Sequence, residues 1–139
     1  LNRTAAELAV EFGLRGGTDV TGFGLLGHGM EMAEASGVLL SIENSKLPFF
    51  SGARGYAEKG IFPGGAFYNK GYYEKNIIFD EKLDEPAQML LFDPQTSGGL
   101  LLGVPPEKLD AFEKRAGELG QPVWVVGEVR AGQGIEVRS

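Results

Sequence analysis

The stretch TDVTGFGLLGH, residues 18–28, sets three glycines and one carboxylate, Asp19, at the start of an otherwise apolar segment. Glycine weakens an ordinary helix or strand, yet it admits φ > 0 and lets other atoms approach the backbone closely. Just upstream, LRGGTDV reads as a brief strand ending at Asp19. Downstream, Phe23, Leu26, Met30 and Ala33 recur at helical spacing, Glu31 and Glu34 lie off that stripe, and Gly37 stands where a C-cap is needed. The pattern predicts a strand, a glycine turn and a helix that begins within TGFG. Unpaired N–H groups in such a first turn carry partial positive charge, and without Cβ atoms a phosphate can come close to them. A carboxylate cannot bind phosphate directly, but a magnesium ion takes oxygen from both at once. The other reading has Asp19 capping the helix and the glycines permitting close helix-to-strand packing. On this motif alone both stay open.

The rest of the chain alternates helical and extended signals. Thr4 and Glu7 read as a capping box for a first helix with Leu8 and Phe12 on one face and Gly13 as its stop. VLLSI is a strand, and residues 52–59 form a weaker helical stretch. GIFPGGAFYNKGYY, residues 60–73, is dense in glycine and aromatics without a sustained period, which predicts a loop with at most one short helix. Asp84 caps a helix with Glu85 and Pro86 in its first turn and Ala87, Leu90 and Leu91 on its buried side, and DPQTSGG breaks it. GLLLGV, a continuous apolar run, predicts a strand covered on both faces. Pro105 and Pro106 open a helix with Leu109, Phe112, Ala116 and Leu119 on one side and Gly120 at its end. VWVVGEV and GIEVR, separated by RAGQ, read as a closing β-hairpin. Interleaved helices and locally paired strands point to one α+β domain with a mixed sheet, spanning residues 1–139.

A second candidate for chemistry is DPQTSGG, residues 93–99, whose hydroxyls and paired glycines form either a backbone nest for an anion or an ordinary turn. His28, the single histidine, falls one turn after Gly24 and reads as a structural hydrogen-bonding residue rather than a metal ligand. Asn69 can serve a ligand or a turn. Phe67, Tyr68, Tyr72 and Tyr73 read as packing residues, and Glu107, Glu113 and Glu118 as a solvated helix face.

Composition bounds these readings. The 139 residues suffice for a core without disulfides. Absence of cysteine excludes a disulfide framework, a thiolate metal site and a cysteine nucleophile within this segment, and leaves the compartment open. A net charge of −6 with no basic block disfavours nucleic-acid binding. No apolar run approaches the roughly 20 residues that span a bilayer, so no membrane role is expected. The chain opens LNRTAAELAVEFG, helical at once and without an initiator Met, as a piece of a longer protein would.

TDVTGFGLLGH, PGGAFYN and DPQTSGGLL, in this order, together resemble the C-terminal domain of the selenophosphate synthetase (selenide, water dikinase) family. DVTGFG alone is shared more loosely across the superfamily of aminoimidazole ribonucleotide (AIR) synthetase, the PurM-like enzymes. The resemblance implies an α+β sandwich and an ATP-dependent enzyme making selenophosphate from selenide, with AMP and phosphate as products. It implies two-domain subunits that form a homodimer in the cytoplasm, an N-terminal ATP-binding domain as partner, and Mg2+ held by aspartates. Asp19 is then the metal ligand. Thr21, Gly22, Gly24, Thr96, Ser97 and Gly98 are the candidate nucleotide-binding residues, and no residue of this chain is assigned a catalytic role. The family's Cys or selenocysteine, its Lys and its other metal-binding aspartates belong to the half not present, so this chain alone is not expected to turn over ATP. Another enzyme of the superfamily, such as AIR synthetase itself, and a stand-alone binding or assembly domain are the alternatives.

Overall fold

The computed structural model describes residues 2–139. Its first helix, α1 (Arg3–Glu11), ends where Gly13 takes φ of 60°. The capping box does not form. Asn2 stands at the N-cap without a side-chain bond, Thr4 lies inside the helix, and Glu7 pairs with Arg3 at 2.9 Å. An arginine one turn away gives that carboxylate a charged partner, which the capping box lacks.

β1 (Gly16–Asp19) leads into α2 (Gly24–Ser36), closed by Gly37 at φ 64°. Leu26, Met30 and Ala33 are buried as their spacing predicts. Phe23 departs from that stripe: it occupies the N-cap, outside the helical phase, and is 45% exposed. β2 (Leu39–Glu43) and the short α3 (Ala53–Ala57) follow.

Residues 60–73 differ most from expectation. They hold the ten-residue α4 (Gly64–Tyr73), and the strand β3 (Ile77–Phe79), which the sequence reading lacks, comes soon after. The inner face of α4 is made by Ala66 and Asn69, whereas Phe67, Tyr68 and Tyr72 are exposed. Small and polar residues carry the helical period here, so hydrophobicity does not report it. In α5 (Glu85–Leu90), the Asp84 carboxylate accepts from the Ala87 N–H at 3.0 Å, as an N-cap should. β4 (Leu100–Gly103) and α6 (Pro106–Glu118) also match their signals, except that Leu119 follows the helix and is exposed.

The last two strands, β5 (Gly127–Arg130) and β6 (Gly134–Arg138), are not a hairpin. The main sheet runs β3-β6-β2-β5, so β2 lies between them, parallel to β6 and antiparallel to β5. Burial decides the matter. β2 buries three consecutive residues and needs partners on both edges, and β6 brings Ile135 and Val137 into the core. β5 is left as an edge with three exposed residues, and VWVV stays outside the sheet except for the Glu43 N–H bond to the Val126 carbonyl at 2.8 Å.

β1 and β4 form a separate antiparallel ribbon, Asp19 opposite Leu100. Leu101 packs on the main core of α2, the sheet and α5, while Leu102 and Val104 pack on a second core made by Leu8, Phe112 and Ala116. GLLLGV is thus covered on both faces because it separates two cores. The architecture is α+β, a mixed sheet with helices against it, as expected. No helix among the described residues is long and apolar enough to cross a membrane.

The strand order makes a direct prediction. Ile135→Ala on the interior strand should cost about 2–5 kcal/mol in urea unfolding, against about 0.5 kcal/mol for Val129→Ala on the edge strand. Similar losses at the two positions would contradict this order.

Candidate functional site

The two motifs singled out by sequence meet along a backbone seam. Val20 N–H donates to the Gly99 carbonyl at 3.0 Å, Gly98 N–H to the Val20 carbonyl at 2.8 Å, and Gln95 N–H to the Thr21 carbonyl at 2.9 Å. Leu26 N–H, in the first turn of α2, reaches the Leu91 carbonyl at the end of α5 at 3.1 Å. The third motif joins them, since Gly65 at the start of α4 faces Pro94 so closely that a Cβ would lie 2.7 Å from its ring.

Two of the glycines exist for this contact. A Cβ on Gly24, which has φ of 71°, would stand 2.7 Å from the Phe92 carbonyl carbon, and one on Gly98 would stand 2.9 Å from the Val20 carbonyl oxygen. Their N–H groups are engaged too, Gly98 with Val20 and Gly24 with the Thr21 carbonyl at 3.0 Å. Gly24 and Gly98 therefore hold the seam together and present no free donor. By contrast, the N–H groups of Thr21, Gly22, Thr96 and Ser97 donate to no described residue. Gly22, Thr96 and Ser97 are exposed and Thr21 half-buried, so this side of the seam is an open set of backbone donors suited to an anion.

Side chains support the turn from within. His28 Nε2 accepts from the Phe23 N–H at 3.2 Å and lies 2.9 Å from the Thr21 hydroxyl, while Nδ1 lies 3.3 Å from Glu31. An acceptor at Nε2 assigns the proton to Nδ1, facing Glu31. Asn69 is 7% exposed, and its amide nitrogen donates to the carbonyls of Gly22 and Phe92, both at 3.0 Å. Of the two roles open to Asn69 from sequence, the structure gives it the turn. Its signal was available: Gly65 and Asn69 are one helical turn apart, so a helix there places both on one face.

Asp19, at the end of β1, is exposed, and its carboxylate has no hydrogen-bond or ion-pair partner among the described residues. No group of three metal-ligating side chains occurs among them. Asp93 is different. Partial burial pushes its carboxyl above the ordinary value, opposed by a bond from Gln95 Nε2 at 2.8 Å.

The family model for AIR synthase related protein, C-terminal domain, matches residues 1–139. A selenide, water dikinase of Caldanaerobacter subterraneus subsp. tengcongensis is 41% identical over 99% of this chain and 40% of its own length. That of Rhizobium meliloti is 42% identical over 95% of this chain and 38% of its own. The chain thus spans about 40% of the length of the curated relatives it matches. Among solved structures, a thiamine-monophosphate kinase from Stenotrophomonas maltophilia superimposes with a TM-score of 0.62 at 20% identity, covering 93% of this chain and 32% of that one. AaThiL complexed with AMPPCP and TMP gives 0.60 at 20% identity, covering 96% and 33%. These two likenesses are of fold.

The raised carboxyl of Asp93 sets the sign of a pH effect. Its ionised form costs stability above the folded pKa, and the cost disappears below the unfolded value, about pH 4. Asp93→Asn keeps an acceptor for Gln95 and removes the charge. It should raise the melting temperature at pH 7, with the gain fading as pH falls through the raised folded value toward about 4 and gone below it; a lower melting temperature at pH 7 would refute this.

Proposed function

The chain belongs to the AIR synthase related proteins as their C-terminal domain, and from that premise we propose that it is the C-terminal domain of a selenide, water dikinase. One observation carries the reading: the three motifs of the resemblance converge on a single seam whose open side offers backbone N–H donors beside Asp19. Support comes also from relatives of that name at about 40% identity along nearly the whole chain. The alternative, AIR synthetase or another enzyme of the superfamily, lacks such relatives among those described.

In this proposal the reaction forms selenophosphate from ATP, selenide and water, releasing AMP and phosphate. Thr21, Gly22, Thr96 and Ser97 direct N–H dipoles at a phosphate oxygen, with no Cβ on Gly22 to obstruct approach. Gly24 and Gly98 keep the two loops close enough for those donors to converge. Asp19 offers one hard oxygen ligand. Asp19 would hold one side of a bound magnesium ion, which would supply neutralisation of phosphate charge. A single carboxylate fits one corner of such a site, so the remaining ligands come from outside this chain, in an N-terminal ATP-binding domain of the same subunit. The homodimer and the cytoplasmic setting rest on the family resemblance.

In the full-length protein, Asp19→Ala should lower selenide-dependent ATP consumption about 10²–10³-fold. The same change should move stability by less than about 0.5 kcal/mol, because the side chain is exposed. Unchanged turnover would remove the metal role. Calorimetry on the 139-residue chain with Mg-ATP should give no detectable heat, and a tight complex there would contradict a divided site.

A further inference from the structure

We infer that Asn69 and His28 are positioning residues that clamp one peptide group, Gly22–Phe23, from its two sides, and thereby aim the neighbouring N–H groups outward. The inference rests on the function just proposed for its catalytic consequence, but its geometry stands apart from it. In a trans peptide the carbonyl of one residue and the N–H of the next point in opposite directions. The Gly22 carbonyl turns inward to Asn69 Nδ2 at 3.0 Å, and the Phe23 N–H, on the other side of the same plane, meets His28 Nε2 at 3.2 Å. The two preceding peptides follow suit. The Val20 and Thr21 carbonyls accept from the Gly98 and Gln95 N–H groups across the seam, which leaves the N–H groups of Thr21 and Gly22 facing away from it.

Such a clamp has a reason. A Cβ on Gly22 would meet nothing within 4 Å, so no steric contact prevents its adjoining peptides from rotating. A rotated Gly22–Phe23 peptide would turn a carbonyl oxygen toward the donors, where it would repel an anion. Among uncharged side chains only a primary amide supplies two hydrogens from one atom, and Asn69 uses them on Gly22 and Phe92, tying the turn to the end of α5 in the same stroke. Aspartate in its place would present oxygen to two carbonyl oxygens.

Asn69→Asp in the full-length protein tests this, followed by amide hydrogen exchange and by steady-state kinetics with Mg-ATP and selenide. Exchange in peptides covering residues 20–24 and 95–99 should quicken about tenfold to a hundredfold, while α1 and α6 stay within about twofold. The kcat should fall about tenfold or more, with KM for selenide unchanged. Should this variant fail to fold, Asn69→Ala, which leaves room for a water to reach both carbonyls, should give the same local pattern at smaller amplitude. Unaltered exchange in the two segments, acceleration spread evenly over the domain, or a loosened seam with full kcat would each overturn the clamp. Failure of the dikinase reading looks different: the unaltered full-length protein then shows no selenide-dependent ATP consumption while Asn69→Asp still loosens the seam, and the clamp stands on exchange.

Discussion

Close approach of two backbones, at Gly24 against Phe92 and at Gly98 against Val20, is the constraint on which the domain's functional side depends. Neither contact has room for a Cβ, and each brings N–H and carbonyl groups within bonding distance across segments about seventy residues apart in sequence. Helix α2, the β1–β4 ribbon, the end of α5 and the start of α4 all terminate at this place. A wider seam would take the donors away from the carbonyls of the buried residues Val20, Leu91 and Phe92, a cost of roughly 1–3 kcal/mol for each left unpaired. The glycines are therefore demanded by packing first, and the open row of donors follows from that packing.

Much of this was legible in the sequence because its signals are local. A turn between strand and helix announces itself through Asp19, the glycines and the period of Leu26, Met30 and Ala33. Asp84 as a cap and GLLLGV as a doubly covered strand were equally plain. What escaped was decided at long range. RAGQ looks like a hairpin loop, but the partner of β6 is β2, nearly a hundred residues earlier, and only the burial of Ser41, Ile135 and Val137 explains the choice. Helix α4 was hidden because its inner face carries Ala66 and Asn69 while Phe67, Tyr68 and Tyr72 face solvent. The capping box failed for a third reason: Arg3, one turn from Glu7, offers that carboxylate a charged donor where the box offers only the Thr4 backbone N–H.

The candidate site divides in the same way. Sequence placed Thr21, Gly22, Gly24, Thr96, Ser97 and Gly98 in one group, and the structure sorts that group by the direction of each N–H. Gly24 and Gly98, whose N–H groups are bonded, carry the steric requirement, and Thr21, Gly22, Thr96 and Ser97, whose N–H groups have no partner among the described residues, are the candidate donors. No composition or spacing rule makes this distinction, because it depends on peptide orientation rather than on residue type.

Electrostatics bears on how such a half-site is kept usable. The chain has a net charge of −6, and Asp19 stands beside the donors, so an approaching polyphosphate meets repulsion before it meets a hydrogen bond. Backbone dipoles act over about one turn, whereas the carboxylate acts over roughly a Debye length, ~8 Å at physiological salt. Distant anions therefore sense chiefly the acid, and the row of N–H groups counts only once the charge has been offset. Under the divided site proposed above this becomes selectivity: Asp19 rejects an anion without an accompanying cation, and the acid and the dipoles together accept an anion that carries one.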